Sequence, residues 1–149
     1  MAAPLAAHRA AIEALAGTAG LDRRDAAGLP AAPGAYLLLI ALAVPLDLEI
    51  RSLARATLAR GRYLYAGSAR GPGGIRARVA RHFKQEKAWH WHVDHLTAAT
   101  AEITAFPVPD GRECALVEAL LAGGGWQTAV RGFGSSDCRR CAAHLLAAR

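Results

Sequence analysis

The sequence is short of cysteine and of long apolar runs, and each shortage excludes a class of protein. Its three cysteines are an odd number and too few for a secreted scaffold held together by disulfides. The longest apolar run, at 35–46, is interrupted by Pro45 and is shorter than the roughly 20 residues that a membrane-spanning helix needs. The first residues lack a basic patch followed by an apolar segment, so no secretion signal is predicted. We therefore expect a soluble, cytoplasmic protein with no membrane partner.

Lysine is also scarce, and arginine carries nearly all of the positive charge. Lys84 and Lys87 are the only lysines among 18 basic residues, against 12 acidic ones, which gives a net charge of +6 and a pI near 9.9. Such a charge favours polyanionic partners, and the planar guanidinium fork matches phosphate. Positive charge is necessary for nucleic-acid binding but is not sufficient. The 149 residues, 53% of them hydrophobic, suit one folded domain.

Local patterns divide the chain into an alanine-rich N-terminal extension, 1–32, and one domain, 33–149. The extension contains a helix-forming segment followed by a loop with Pro30. Within the domain, helical spacing predicts helices at 75–87 and 112–122, and 53–61 is interpreted as a short helix or a loop. Apolar runs and alternating patterns predict strands at 35–43, 46–52, 62–69, 101–108 and 126–130. This order predicts an α+β fold, a small α/β sandwich whose central, mainly antiparallel β-sheet is flanked by helices.

A glycine-rich stretch, "GSARGPGG" at 67–74, invites comparison with phosphate-binding loops. A P-loop needs two glycines, a lysine and a serine or threonine at fixed spacing, and a dinucleotide-binding loop needs G-x-G-x-x-G. Neither pattern is present, because Pro72 occupies the position of the second P-loop glycine and Arg76 that of the last dinucleotide-loop glycine. We therefore interpret the stretch as a turn between a strand and a helix.

Six short motifs, in order along the chain, carry a resemblance to a known superfamily. They are "GAY" at 34–36, "YAGSA" at 65–69, "RHF" at 81–83, "HWHVDHL" at 90–96, "REC" at 112–114 and "GFGSSDC" at 132–138. Together they resemble the GIY-YIG nuclease superfamily, and most of all a little-characterised branch of it, the domain-of-unknown-function family 123. The resemblance covers about residues 33–146 and implies a GIY-YIG-like sandwich.

The resemblance also implies roles for five residues. Tyr36 and Tyr65 match the two motif tyrosines, Arg78 the helix arginine, His82 the histidine one turn later, and Glu113 the glutamate that binds one Mg²⁺ or Mn²⁺ ion. In this scheme the arginine clamps a phosphate, a tyrosine is general base or positioning phenol, and the histidine supports proton transfer or contacts the phosphate. A tyrosine can act as base because nearby positive charge lowers its pKa from about 10.

Six further side chains are expected to contact the nucleic acid, namely Arg70, Arg76, Arg81, Lys84, Lys87 and His92. The expected partner is DNA, with branched or damaged DNA as candidate substrates. RNA is an alternative partner that the sequence does not exclude. The sequence leaves the oligomeric state open.

Each site residue also has a plainer interpretation. The tyrosines suit packing in a sheet, and Arg78 with His82 suits a solvated helix face. Glu113 follows Asp110 by three residues ahead of an apolar run, which is the pattern of a capping box, so it could cap its helix instead of holding a metal. Glu118 is the fallback carboxylate.

Histidines and cysteines cluster in two segments that invite a zinc assignment. The histidines at 90–95 are interpreted as structural or DNA-facing, since the resemblance carries no metal role there. Cys138, Cys141 and His144 are three apart and could bind zinc with a fourth ligand from Asp137 or elsewhere. Structural zinc sites usually show two separated ligand pairs, and only one cluster is visible here. Zinc is therefore not expected, and the thiols are interpreted as buried or free.

The sequence thus predicts a divalent-metal-dependent DNA endonuclease of GIY-YIG type, acting in DNA repair or processing. Two alternatives stay open. One is a nucleic-acid-binding module that keeps the fold and the basic surface without turnover, and the other is a zinc-stabilised interaction domain.

Overall fold

The computed structural model describes residues 4–100, 102–135 and 138–149. In chain order the elements are helix α1 (Leu5–Ala16), a 3₁₀ helix (Arg23–Gly28), strands β1 (Gly34–Leu42), β2 (Leu46–Leu48), β3 (Ala56–Leu58) and β4 (Gly61–Ala69), helices α2 (Gly74–Phe83) and α3 (Asp94–Thr97), strand β5 (Ile103–Pro109), helix α4 (Glu113–Ala122), and strands β6 (Trp126–Thr128) and β7 (Leu145–Ala148). Five strands form one sheet in the order β5-β1-β4-β7-β6, all antiparallel, and β2 pairs with β3 in a second, small sheet. Among the described helices, none is both long and apolar enough to cross a membrane. The predicted α+β fold with a mainly antiparallel sheet is confirmed.

Strand β1 lies inside the sheet, between β5 and β4, because its sequence is apolar on both faces. Successive side chains of a strand point to opposite faces. Tyr36 and Leu38 join the core that contains the buried residues of α2, whereas Leu37 and Leu39 join the core that contains those of α4. Each fully buried leucine of this kind contributes about 1.5–3 kcal/mol to stability. The sheet is therefore covered on both faces, as an uninterrupted apolar run predicts.

Helix α2 begins directly after the glycine-rich turn. Gly74 has a φ of 57°, and a Cβ there would lie 2.1 Å from the carbonyl oxygen of Ala31, so this position requires glycine. Ile75 and Val79 are fully buried one turn apart and anchor the helix on the sheet. The stretch is thus a connection between a strand and a helix, as predicted, although α2 ends at Phe83 and not at residue 87.

The structure contains two short strands that the sequence pattern does not predict. Strand β3 lies in the segment that was expected to be a short helix or a loop, and β7 lies in the cysteine-bearing tail. Strand β2 is shorter than predicted and stops at Leu48. These strands are at most four residues long, and each is fixed by its partners: β3 by β2, and β7 by β4 and β6.

The described part of the N-terminal segment packs along the domain. Ile12 of α1 is fully buried in the core beneath α4, and the ring of His8 lies 5.0 Å from that of Trp126. The backbone of Leu21 bridges to Ala105 of β5. Leu29 is fully buried in the core beneath α2. The segment therefore contributes apolar side chains to both cores.

Candidate functional site

A cleft of about 500 Å³ lies where β4, α2 and the N-terminus of α4 meet residues 90–92, 134, 138–140 and 144. Residues from each of these segments line it, among them Tyr65, Arg78, Trp91, His92, Glu113 and Arg139. The structure thus brings a phenol, a guanidinium and a carboxylate to one surface from three separate elements. We refer to this surface as the cleft.

Tyr36 lies beneath the floor of the cleft, behind Gly67. The two residues face each other across β1 and β4, and a Cβ on Gly67 would lie 2.3 Å from the Tyr36 hydroxyl oxygen. The glycine of the "YAG" motif therefore makes room for the tyrosine of the "GAY" motif. Tyr36 is 1% exposed and its ring centroid lies 6.5 Å from that of Tyr65, so one tyrosine is a buried support and the other borders the cleft.

His82 is the buried partner of Tyr36. Its Nε2 and the Tyr36 hydroxyl are 2.7 Å apart and share a hydrogen bond. Its Nδ1 has no hydrogen-bond partner among the described residues and lies 4.0 Å from a carboxylate oxygen of Asp94. Burial, reinforced by the charge of Lys87, lowers the pKa of His82 to about 3. The imidazole is therefore neutral at physiological pH and supports Tyr36 as a hydrogen-bond partner.

The tyrosines are harder to ionise than the sequence suggests. Burial raises the pKa of Tyr65 to about 12, although the charge of Arg78 opposes the shift, and burial raises that of Tyr36 well above 10. The charge of Arg78 does lower the pKa of both tyrosines, as expected from the sequence, but burial has the larger effect. The loss of hydration of the phenolate outweighs the attraction of the guanidinium. Tyr65 presents a neutral hydroxyl that can donate a hydrogen bond.

Tyr36→Phe is expected to destabilise the protein by about 1–3 kcal/mol, because it leaves both ring nitrogens of the buried His82 without partners. Urea unfolding followed by circular dichroism measures the change. Tyr63→Phe is the matched control, since the Tyr63 hydroxyl donates to the carbonyl of Ala59 at a partly exposed site. An equal or smaller loss for Tyr36→Phe than for the control would contradict this role for His82.

Arg78 is held at the cleft by three contacts, one of which is a side-chain hydrogen bond with the buried Tyr36. Its Nη1 donates a hydrogen bond of 3.1 Å to the carbonyl oxygen of Ser68, and its guanidinium carbon lies 4.3 Å from the ring centroid of Trp91. Together the three contacts engage part of the guanidinium fork and one of its flat faces. The remaining donors are available to a ligand in the cleft.

Asp94 organises the segment that carries Trp91. Its carboxylate is fully buried and accepts two hydrogen bonds from Arg81, at 2.8 and 2.9 Å, and two from the backbone N–H groups of His90 and Trp91, at 2.7 and 2.8 Å. Burial opposes ionisation of Asp94, but these donors lower its pKa to about 2. Arg81, assigned to the nucleic acid from sequence, is thereby engaged in an ion pair that ties residues 90–94 to α2.

The other basic residues assigned to the nucleic acid lie outside the cleft. Lys87 donates to the carbonyls at the end of α2 and to Thr97, and burial lowers its pKa to about 8. Arg70 donates to the carbonyl of Gly111 and Arg76 to that of Leu29, while Lys84 is exposed. The exposed side chains of Arg70, Arg76 and Lys84 remain candidates for more distant phosphate contacts.

His92 is the one member of that set that lines the cleft. Its Nδ1 accepts a hydrogen bond of 2.9 Å from the backbone N–H of Gly134, and its Nε2 lies 3.1 Å from the hydroxyl of Ser52. Sequence reasoning missed Arg139 and Arg140, which also line the cleft. The signal for them was the doubled arginine between the two cysteines of "CRRC".

Glu113 is the first residue of α4 and does not cap it. The helix has Arg112 at its N-cap with no side-chain cap hydrogen bond, and Asp110 adopts a left-handed φ of 60° in the preceding turn. The capping-box interpretation is therefore wrong. The Glu113 carboxylate lines the cleft and has no hydrogen-bond partner among the described residues. The fallback carboxylate, Glu118, is exposed and paired with Arg140 at 2.6 Å.

Cys114, the residue after Glu113, meets the cysteines and histidine of the tail. The ligand atoms of Cys114, Cys138, Cys141 and His144 all lie within 4.8 Å of one another, so this group could hold a metal ion. Burial opposes ionisation of Cys138, but the backbone N–H groups of Cys141 and Arg140 lower its pKa to about 6. Asp137, considered as a fourth ligand, lies outside the described residues.

This cluster counts against the expectation that zinc is unlikely. That expectation depended on one visible ligand group in the tail, whereas the fold brings in Cys114 from 24 residues upstream of Cys138. The only sequence signal for Cys114 was its place in "REC", next to the glutamate of interest.

A comparison with family models finds one match, described as a domain of unknown function, DUF123, over residues 35–149. The match begins in β1 and includes all the residues that line the cleft. The chain has no significant match among curated proteins or solved structures.

Proposed function

The chain belongs to the DUF123 family of domains of unknown function, and we propose that it is a divalent-metal-dependent DNA endonuclease of GIY-YIG type. The observation that carries the proposal is the meeting of Tyr65, Arg78 and Glu113 in one cleft with arginines at its rim. Hydrolysis of a phosphodiester needs an activated water, neutralisation of phosphate charge and stabilisation of the leaving oxygen. The cleft supplies a candidate group for each requirement.

Glu113 would hold a single Mg²⁺ or Mn²⁺ ion. Such ions use one or two carboxylates and complete their coordination with water and substrate phosphate. Glu113 fits this pattern because, among the described residues, it is the one carboxylate that lines the cleft and no other side chain bonds to its oxygens. When bound, the ion supplies Lewis acidity to a phosphoryl oxygen and lowers the pKa of a bound water.

Arg78 would bind the phosphate whose ester bond breaks. The carbonyl of Ser68 and the ring of Trp91 fix its guanidinium before substrate arrives, so little side-chain entropy is lost on binding. The fork can then contact two oxygens of one phosphate. Because the contact strengthens as charge develops, it favours the transition state.

Tyr65 would act as a hydrogen-bond donor and not as a general base. With its pKa raised to about 12 by burial, it is protonated at neutral pH and can donate to a phosphate or leaving oxygen. Tyr36 and His82 would position it indirectly, since their buried rings lie 6.5 and 6.3 Å from the Tyr65 ring and do not line the cleft. Arg139, Arg140 and the net charge of +6 would attract the flanking DNA backbone.

The test compares cleavage and binding on the same substrates. Plasmid, branched and damaged DNA are incubated with Mg²⁺ or Mn²⁺, or with EDTA. The wild type is expected to cut at least one substrate only with metal, and a preference for branched or damaged DNA would support a role in repair or processing. Arg78→Ala is expected to lower the cleavage rate by about 100-fold. Arg51→Ala, an exposed arginine outside the cleft, is the control and should cut at the wild-type rate.

One outcome would favour the binding-module alternative. If no substrate is cut with either metal while DNA still binds with a steep salt dependence, the enzyme proposal fails. A normal rate for Arg78→Ala would also contradict the role of that side chain.

A further inference from the structure

We propose that Cys114, Cys138, Cys141 and His144 hold a structural zinc ion that fixes one wall of the cleft. The ligand set does not include the Glu113 carboxylate, although Cys138 and His144 line the same cleft, and the proposal does not depend on nuclease activity. Its ligands come from three places, which are the first turn of α4, the loop at 138–141 and the residue before β7.

The donor set matches what zinc requires. Three thiols and one imidazole are a common structural set, and the Cys138–Cys141 pair has the two-residue spacing found at such sites. In a tetrahedral site, Zn–S bonds near 2.3 Å and Zn–N bonds near 2.0 Å would place two sulfurs about 3.8 Å apart and a sulfur and a nitrogen about 3.5 Å apart. The Sγ atoms of Cys114 and Cys138 are 3.3 Å apart, and Cys114 Sγ is 3.7 Å from Nε2 of His144. Small shifts would therefore admit the ion.

Backbone groups support the ligands as expected around a metal centre. The N–H groups of Arg140 and Cys141 both point at Cys138 Sγ from 3.4 Å, and such donors stabilise a metal-bound thiolate. His144 is fixed by its own backbone, which donates to the carbonyl of Phe133 at 2.8 Å and accepts from Ala66 of β4 at 3.0 Å. The site is thus built on the central sheet on one side and on α4 on the other.

A disulfide does not explain the same arrangement as well. The Cys114–Cys138 sulfur separation of 3.3 Å exceeds the roughly 2.05 Å of a covalent bond. A disulfide would also give no role to the third thiol or to the buried His144. All three cysteines of the chain converge here. The described residues between β6 and β7 form no helix or strand, so this part of the chain lacks the regular hydrogen bonds that stabilise the rest.

The location assigns the ion a structural role. Four protein ligands complete a tetrahedron and leave no position for water, which distinguishes structural from catalytic zinc. Cys114 directly follows Glu113, and Arg139 and Arg140 stand between Cys138 and Cys141. Zinc would therefore fix three groups of the cleft by holding the backbone next to them.

The experiment measures metal and stability, without DNA. The full chain, purified under reducing conditions, is expected to contain one zinc per molecule by elemental analysis. Removal with a chelator should lower Tm by about 10 °C or more, and Zn²⁺ should restore it. Cys138→Ser is expected to weaken zinc binding by about 100-fold or more, whereas His95→Ala, outside the cluster, should keep one zinc.

Because Cys138→Ser could fail to fold, a second measurement uses the wild type. Reduced, metal-free protein titrated with Co²⁺ should develop the visible absorption of a tetrahedral thiolate complex and lose it when Zn²⁺ is added. Substoichiometric zinc with no Co²⁺ signal would overturn the proposal, and so would one bound zinc in Cys138→Ser. A mass lower by two hydrogen atoms under non-reducing conditions would instead show a disulfide. Failure of DNA cleavage with zinc present would count against the nuclease proposal alone.

Discussion

Glu113→Gln is expected to lower the rate of DNA cleavage by about 1,000-fold without weakening DNA binding. The substitution keeps the size of the side chain and removes the one carboxylate charge that the described residues offer to a divalent ion in the cleft. Metal-ion stabilisation of the transition state is worth several kcal/mol, which corresponds to a loss of this size. Binding should be kept or become slightly tighter, because a negative charge next to the DNA backbone is removed. Single-turnover cleavage and fluorescence anisotropy on the same duplex measure the two effects.

Glu118→Gln is the matched control, on the same helix. Its carboxylate is exposed and paired with Arg140, and surface ion pairs of this kind contribute at most about 1 kcal/mol. Its cleavage rate should therefore stay close to that of the wild type. Equal losses for the two variants, or unchanged cleavage by Glu113→Gln, would exclude Glu113 as the metal ligand. Both variants should retain zinc, since neither glutamate belongs to the cluster of cysteines and His144.

The long strands and helices could be predicted from the sequence because their patterns are local. The apolar run at 35–43 and the spacing of Ile75 and Val79 indicate a buried strand and a helix whatever the rest of the chain does. Strand β7, with the sequence "LLAA", carries no such pattern. It is a strand because β4 and β6 offer hydrogen bonds on its two sides, and pairing of this kind is not visible in a four-residue segment.

The candidate site could be predicted only in part, because motifs along the chain are visible in the sequence and contacts between distant segments are not. Motif order indicated Tyr65, Arg78 and Glu113, which the structure places in one cleft. The fourth member of the metal cluster, Cys114, could not be identified because it meets Cys138 only through the packing of α4. The direction of the tyrosine pKa shifts could not be predicted either. It depends on how completely the sheet and α2 exclude water, and a charge pattern does not reveal that.

A buried carboxylate also determines the different roles of two arginines on α2. Arg78 and Arg81 are three residues apart on one helix, so the sequence does not distinguish them. In the structure, both guanidinium carbons lie 4.3 Å from the centroid of the Trp91 ring. The difference is Asp94, which follows Arg81 by 13 residues and engages both ends of its fork. Arg81 therefore holds the wall of the cleft in place, and Arg78 keeps donors free for a ligand. Since Asp94 also binds the backbone of Trp91, it supports Arg78 through the stacked ring.

Asp94→Ala is expected to lower the free energy of unfolding by about 3–5 kcal/mol. It leaves the guanidinium of Arg81 without its carboxylate and two part-buried backbone N–H groups without acceptors. Urea unfolding measures the loss. Asp47→Ala is the control, because the exposed Asp47 accepts one hydrogen bond from Thr57 and should contribute less than about 1 kcal/mol.

The acid stability of the wild type tests the same residue independently. The pKa of Asp94, about 2 in the folded protein, lies below the value of about 3.9 in an unfolded chain. Its contribution is therefore complete above about pH 4 and is lost as the pH falls through about 2. Asp94→Asn should remove this part of the acid dependence, so that wild type and variant converge in stability at low pH. Parallel stability curves for the two proteins between pH 2 and pH 5 would show that Arg81 and the backbone donors do not hold an ionised carboxylate.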